Sequence, residues 1–281
     1  MMSAATKSRD DALDRLVSAY RCEQILLMLF DYDGTLVPTT EHPRNACLGS
    51  ETRRILELLS RTPRVRVGIV SGRAIDDLKT IVGIKGIDYV GTCGLELELN
   101  QVAVVPRAAI QAGAQVPQLA GQLKTVISDF PNAWIEQKPL GLTVHYRHVH
   151  PDHVQPLRLR VTALLEPWIN EWCLMDGTLA IEIIPNRGLT KGTALQSIVG
   201  QFRSDQVYVM YAGDSINDAA AIEAAITLGG TTVGIGCHEF PSVHCRLPDP
   251  SALTELLKRL VEQLSAVIQY ATVRGKSLPA E

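Results

Sequence analysis

ILLMLFDYDGTL, residues 25–36, is the stretch on which the fold turns. Six apolar residues in a row, Ile25 to Phe30, suit a strand buried on both faces, as in a parallel sheet. The run stops at Asp31-Tyr32-Asp33-Gly34. In open α/β sheets ligands bind beyond the carboxyl ends of the strands. Two carboxylates spaced i, i+2 at such a tip can therefore face one pocket, one to attack and the other to handle protons. Gly34 permits the tight turn. An Asx-rich turn with no further role is the plain alternative.

On either side of this strand the chain alternates between strand and helix. Before it, residues from Ser8 onward predict a short amphipathic helix, with Leu13, Leu16 and Val17 at helical spacing and Ser8 with Asp11 as a capping pair. After it come a helix over 50–61 with Ile55, Leu56, Leu58 and Leu59 inward, a buried strand VRVGIV over 65–70, a helix over 75–82 and a strand over 87–90. This order is the signature of a parallel sheet with helices on its faces.

Near Leu95 the pattern changes. LELELN alternates and QVAVV follows, which predicts an antiparallel hairpin. A helix over 111–130, half-buried strands over 133–137 and 142–149, a helix over 157–170 bent or ended by Pro167, and a strand over 179–184 come next. The parallel pattern then returns with a helix over 190–201, the strand VYVMYA over 207–212, a helix over 219–225 and a strand over 232–235. A closing helix over 251–271 carries Leu253, Leu256, Leu257, Leu260, Val261 and Leu264 on one stripe. The expected fold is α/β. A parallel-sheet core from residues 1–105 and 186–281 is interrupted by a smaller α/β unit over 106–185.

Composition agrees with a folded, neutral-surfaced protein. Of 281 residues, 46% are hydrophobic, which excludes disorder for most of the length. A net charge of −3 excludes a broad basic surface for nucleic acid or anionic membrane. With 4 Phe, 3 Trp and 7 Tyr, a platform for stacking single-stranded bases is excluded too. The six cysteines form no CxxC pair and read as reduced thiols. Ile25–Phe30 is far too short to span a membrane. The first residues carry acids in place of a signal-peptide apolar stretch, so the cytoplasm is the expected location.

Further chemistry lies at the ends of the other buried strands. VRVGIV ends at Ser71-Gly72-Arg73, where a hydroxyl and helix-start N–H groups suit a phosphoryl oxygen, although SGR alone most often only caps a helix. VYVMYA ends at Gly213-Asp214-Ser215-Ile216-Asn217-Asp218. One helical turn would bring Asp214 and Asp218 together, and Asp31 with Asp214 would offer the oxygen ligands that Mg²⁺ prefers. Lys191 opens a helix and could neutralise a phosphate and a neighbouring carboxylate, or simply sit in solvent. In the insertion, strand alternation turns Thr143, His145 and Arg147 one way and Leu142, Val144 and Tyr146 the other. Imidazole and guanidinium on one face suit hydroxyls or an anion. The run His145, His148, His150, His153 has no nearby Cys and is interrupted by Pro151, so a solvated strand end is favoured over a zinc site.

Taken in order, DYDGTL, the serine of SGR, Lys191 and GDSIND resemble the four motifs of the haloacid dehalogenase-like phosphatase superfamily. The resemblance implies a Rossmannoid parallel-sheet core with an inserted cap. It implies that Asp31 is a nucleophile forming a phosphoaspartyl intermediate and that Asp33 is the general acid and base. It further implies Mg²⁺ among Asp31, the Asp33 carbonyl, Asp214 and phosphate, with Asp218 as a ligand or support, and Ser71 and Lys191 on the phosphoryl oxygens. Thr35, Arg73 and Asn217, inside or beside the same motifs, are implied as substrate contacts.

A closer resemblance lies in the insertion. Lys138 through Arg147 is similar to the KxxxxxxHYR signature of trehalose-6-phosphate phosphatases, AIEIIP with Glu182 to that family's EIxP strand end, LTKG to its NKG, and GTCGLE to its GxHGxE. HCRLPDPSALTELL resembles the family's last strand and helix. By this resemblance Lys138, His145, Arg147 and Glu182, with Gly94 and Glu96, contact the sugar. The chain departs from the family pattern with Cys93 in place of a histidine, Thr178 where a lysine often precedes the glutamate, and Ser215 and Ala219 in place of acids. The implied function is Mg²⁺-dependent hydrolysis of trehalose 6-phosphate to trehalose and phosphate. The implied partner is a small-molecule sugar phosphate, with no nucleic acid and no membrane, and a monomer is expected. Two alternatives are a phosphatase for another sugar or glycosyl phosphate, and a non-catalytic sensor or regulatory partner of a trehalose phosphate synthase. Loss of Asp31 or Asp33 would favour the sensor, and both are present.

Overall fold

The computed structural model describes residues 4–177, 179–203 and 205–273. Its main sheet has eight strands in the order β12-β11-β10-β1-β2-β3-β4-β5. These are β1 (Ile25–Phe30), β2 (Val65–Val70), β3 (Asp88–Gly91), β4 (Glu96–Leu99), β5 (Val102–Val104), β10 (Val207–Gly213), β11 (Thr231–Ile235) and β12 (Cys245–Leu247). From β12 to β3 every pairing is parallel. The β3-β4-β5 meander is antiparallel, as the LELEL alternation predicts.

β1 is central, paired with β10 on one side and β2 on the other. Its side chains serve two cores. Leu26, Met28 and Phe30 pack on one face with α1 (Ala4–Arg21), α2 (Ser50–Ser60), α3 (Ile75–Val82) and α9 (Pro250–Val273). Leu27 and Leu29 pack on the other with α7 (Lys191–Val199) and α8 (Ala219–Thr227). All five are fully buried, so no position on the strand can be polar until it ends.

A second sheet of four antiparallel strands, order β6-β7-β9-β8, interrupts the core. It comprises β6 (Trp134–Lys138), β7 (Gly141–His145), β8 (Trp172–Gly177) and β9 (Ala180–Pro185). Leu142, Val144, Ile181 and Ile183 turn inward onto α5 (Val116–Ile127) and α6 (Pro151–Leu165). The opposite face is polar.

Several expectations are corrected. α1 begins at Ala4, so Ser8 lies inside it and donates to the His244 carbonyl at 2.7 Å rather than capping. Leu58 is 38% exposed, on the outer side of α2. The helix expected over 111–130 is two, α4 (Arg107–Gly113) and α5, because Pro117 lacks an N–H and is accommodated only in a first turn. β7 stops at His145, so Arg147 lies in a turn outside the strand alternation. The following helix begins early, at Pro151, with the His150 ring accepting from the Asp152 N–H, and passes into a 3₁₀ turn (Glu166–Trp168) at Pro167. β8 was not anticipated. It is an edge strand whose residues are mostly half-buried, so WCLMDG shows neither a full apolar run nor clean alternation.

Candidate active site

Because β1 lies between β2 and β10, the loops DYDG, SGR and GDSIND leave the sheet side by side. Gly34 has φ +89°, and a Cβ there would stand 2.1 Å from Asp214 Oδ2. Only glycine allows the first loop to close against the third. Asp31, Asp214 and Asp218 each place a carboxylate oxygen within 4.8 Å of the others, the one such grouping of acidic, His or Cys side chains among the described residues.

Lys191 sits at the first position of α7, behind Thr190, whose hydroxyl accepts from the Thr193 N–H in a reciprocal capping box. Its ammonium is fully buried and donates to Asp31 Oδ1 at 2.6 Å, Asp218 Oδ1 at 2.7 Å and Asn217 Oδ1 at 3.0 Å. Burial alone would lower its pKa, but the Asp218 and Asp31 charges outweigh burial and raise it. The lysine stays a cation braced behind Asp31.

Asp218 is saturated. Its Oδ1 also accepts from the Tyr211 hydroxyl at 2.7 Å, and its Oδ2 accepts from the Asp214 and Ser215 N–H groups at 3.1 Å each. It shapes the loop, while Asp31 and Asp214 keep open lone pairs. Burial, then the Asp218 and Asp214 charges, push Asp31 well above the carboxylate range against the opposing pull of Lys191. Burial and Asp218 push Asp214 up to about 6. Three carboxylates against one ammonium leave an unbalanced negative charge among hard oxygen donors. That is the chemistry of a divalent-cation site, and these residues fit Mg²⁺.

Asp33 points away from this cluster. Arg73 grips its carboxylate with both arms, Nε to Oδ2 at 2.6 Å and Nη2 to Oδ1 at 2.8 Å, and also donates to Asp77 at 2.7 Å and the Pro43 carbonyl at 2.7 Å. Ser71 is buried, and its hydroxyl accepts from the Arg73 N–H at 3.2 Å.

The polar face of the second sheet lies opposite. Asp31, Asp33, Ser71, Arg73 and Asn217 line one wall of a cavity, and Lys138, His145, Arg147 and Glu182 line the other. Thr39, Glu41, Trp134 and Glu136 also line it, and none of these four was anticipated. Lys138 donates to Glu182 Oε2 at 2.8 Å and, across the cavity edge, to the Gly72 carbonyl at 2.9 Å. Thr143 donates to the same Glu182 oxygen at 2.8 Å. Glu136 meets His145 Nε2 at 2.8 Å. Burial pushes the Glu136 carboxyl up, but the His145 hydrogen bond and the Lys138 charge bring it down to about 2. The signal for Glu136 was present in the sequence: it shares a period-two face with Lys138 in WIEQK. Tyr211 had a weaker one, a phenol near the end of an otherwise apolar strand.

Three expected substrate contacts lie off the cavity. Thr35 is fully buried, with its hydroxyl 3.4 Å from Asp31 Oδ2 and 3.5 Å from Asp214 Oδ1. Gly94 has φ +108°, and a Cβ there would stand 2.5 Å from the Thr190 carbonyl, so its task is to let the chain pass against the start of α7. Glu96 accepts from the Thr92 hydroxyl. Cys93 is buried, and burial followed by the Glu182 charge pushes its thiol up to about 12, a neutral and unreactive group. Thr178 lies outside the described residues. The four histidines from 145 to 153 converge on no common point: His145 faces the cavity, and His150 caps α6.

A Rossmannoid sheet with paired aspartates at its central strand tip, a buried lysine and a third acidic loop has the fold of haloacid dehalogenase-like hydrolases. A haloacid dehalogenase-like hydrolase from Bacteroides thetaiotaomicron shares the fold, with a TM-score of 0.61 at 15% identity over 84% of this chain and 100% of that one. Within that class the family profile described as trehalose-phosphatase matches residues 29–244, and the chain belongs to that family. It is 29% identical over 265 residues to trehalose-phosphate phosphatase B of Arabidopsis thaliana, covering 89% of this chain and 69% of that protein. The C-terminal domain of Candida albicans trehalose-6-phosphate phosphatase superposes with a TM-score of 0.78 at 23% identity, covering 89% and 96% of the two chains. That of the Candida albicans trehalose synthase regulatory protein does so at 0.69 and 12%, covering 89% and 98%. No helix among the described residues is long and apolar enough to cross a membrane.

Proposed function

We propose that this phosphatase hydrolyses trehalose 6-phosphate to trehalose and phosphate through a phosphoaspartyl intermediate, with Mg²⁺ as cofactor. The observation that carries the reading is the cavity itself. A carboxylate braced by a buried ammonium forms its floor, and its facing wall presents Glu136, Lys138, His145, Arg147 and Glu182, donors and acceptors suited to sugar hydroxyls. Residues 106–185 act as the cap over a core of residues 1–105 and 186–281. The six free cysteines suit a reducing compartment, and we place the enzyme in the cytoplasm.

In the first half-reaction an Asp31 oxygen bonds to phosphorus as the bond from phosphorus to the sugar oxygen breaks. Asp33, released from Arg73 and protonated, gives its proton to that leaving oxygen. In the second, Asp33 takes a proton from water, the water oxygen attacks phosphorus, and the Asp31–phosphorus bond breaks to release phosphate. Lys191 holds Asp31 in line, and Ser71 offers its hydroxyl to a phosphoryl oxygen. Asp31, Asp214 and the Asp33 carbonyl, supported by Asp218, would hold Mg²⁺, which supplies charge neutralisation to the phosphoryl group.

The fold alone does not separate a phosphatase from a regulatory protein, since chains described as each resemble this one. The pair Asp31 and Asp33 favours catalysis. Phosphate release from a panel including trehalose 6-phosphate, glucose 6-phosphate and other glycosyl phosphates tests the reading. Fastest turnover of trehalose 6-phosphate is expected. Preference for another sugar would replace the substrate, and binding without release would favour a sensor.

A further inference from the structure

Residues 38–46 leave the nucleophile loop, pass along the cavity and return to the core. This segment touches both halves of the site. His42 stacks on Trp134 of β6 with ring centroids 5.2 Å apart and planes 8° from parallel. Trp134 in turn stacks on His145 at 3.9 Å and 13°. One residue further on, the Pro43 carbonyl accepts from Arg73 Nη2, the same nitrogen that holds Asp33 Oδ1. The cap is thus joined to the general acid and base by an unbroken series of contacts: Trp134, His42, Pro43, Arg73, Asp33.

The segment is tied together by hydrogen bonds of its own. The His42 ring accepts from the Arg44 N–H at 3.3 Å and opens a 3₁₀ turn over Pro43–Asn45. Thr40 donates to the His42 carbonyl at 2.8 Å, and the Tyr32 hydroxyl anchors Ala46 at 2.8 Å. His42 itself does not line the cavity.

We propose that the His42–Trp134 stack is the contact through which the closed cap sets the position of Asp33. The proposal rests on the reading of the site as a sugar-phosphate phosphatase. His42 is a positioning residue: it touches no reacting atom and acts through Pro43 and Arg73. When the cap closes on a sugar, Trp134 seats on His42 and the Pro43 carbonyl is held against Arg73. The Pro43 carbonyl then holds the guanidinium back, and Asp33, released from it, can reach the leaving oxygen. An aryl phosphate neither fills the cap nor needs its leaving group protonated, so it calls on Asp33 only in the second half-reaction.

Two substitutions separate the stack from the turn. His42→Phe keeps an aromatic face and loses the acceptor for Arg44; His42→Asn keeps a short acceptor and loses the face. Steady-state kinetics with trehalose 6-phosphate and p-nitrophenyl phosphate are the measurement. His42→Asn should lower kcat on the sugar phosphate on the order of tenfold to a hundredfold, the cost of a small misplacement of a reacting group. Its KM should stay within about twofold, and its aryl phosphate rate should fall clearly less than its sugar phosphate rate, since only one of the two Asp33 steps is shared. His42→Phe should retain the wild-type kcat. In a Trp134→Ala background, His42→Asn should add no further loss, because the two rings act as one unit.

Normal kcat in His42→Asn would overturn the proposal, as would equal loss in the Phe variant or equal loss on both substrates. Failure of the functional reading shows elsewhere, in the wild-type protein. If that releases phosphate from a different sugar phosphate, the variant comparison is read on that compound; if from none, both fall.

Discussion

Asp31 and Asp33 stand two residues apart and are held by opposite devices, one by a buried lysine and the other by an arginine that bridges to Pro43. Their substitutions should differ accordingly. Asp31→Asn removes the proposed nucleophile with little change of shape, so phosphate release should fall to background while the circular dichroism spectrum is unchanged. Asp33→Asn should slow sugar-phosphate turnover by roughly 10²–10⁴, the usual worth of general acid–base catalysis. Glu136 supplies a pH effect on stability. Its carboxyl falls from 4.5 to about 2 in the folded protein, so it stabilises fully above pH 4.5, and that contribution is lost as pH falls towards 2. Glu136→Gln should flatten that part of a melting-temperature-against-pH curve; an unchanged acid limb would assign it to other groups. The core acids were legible because each lies within a few residues of the end of an apolar run. Trp134 and His42 were not, because they lie 92 positions apart and meet only through the tertiary fold, and neither residue type at its place carries a local signal.

Among elements, the parallel strands were the most legible, since burial on both faces leaves a continuous apolar run. The second sheet was harder: β8 is an edge strand, and Pro117 divides what periodicity alone joins into one helix. The alternation on β7 nevertheless placed Thr143 and His145 on the polar face, and Arg147 also lines the cavity, although from the turn that follows the strand. That sheet also pairs a buried charge with a half-buried one, Lys138 with Glu182. Glu182→Gln should therefore have two consequences. Turnover of trehalose 6-phosphate should fall by up to roughly 10⁴ while a small aryl phosphate is spared, because a site built for hydroxyls penalises their mispairing. Melting temperature should fall as well, because buried Lys138 loses its hydrogen-bonded counter-charge and keeps only that of Glu136, a loss of up to about 3–5 kcal/mol, the cost of breaking a buried pair. Equal loss on both substrates would mean that the pair supports the fold rather than the sugar.

For the whole molecule, the site exists only where three chain segments and the second sheet meet, and its excess of carboxylates calls for a cation. EDTA should stop activity, and added Mg²⁺ should restore it. Asp214→Ala should raise the Mg²⁺ concentration required for half-maximal rate, and full activity in excess chelator would remove the metal from the mechanism. The position of β1 matters beyond the finished enzyme. One of its two neighbours, β10, is made roughly 180 residues later. At about 5–20 residues per second of synthesis, the nascent central strand waits on the order of ten to forty seconds with an apolar edge unpaired. Such an edge is a template for aggregation. A chain ended before residue 207 should be recovered mainly in the insoluble fraction, and the full-length protein should gain in soluble yield from slower initiation or from co-expressed chaperone. The strand that carries Asp31 is thus exposed to the hazards of being born.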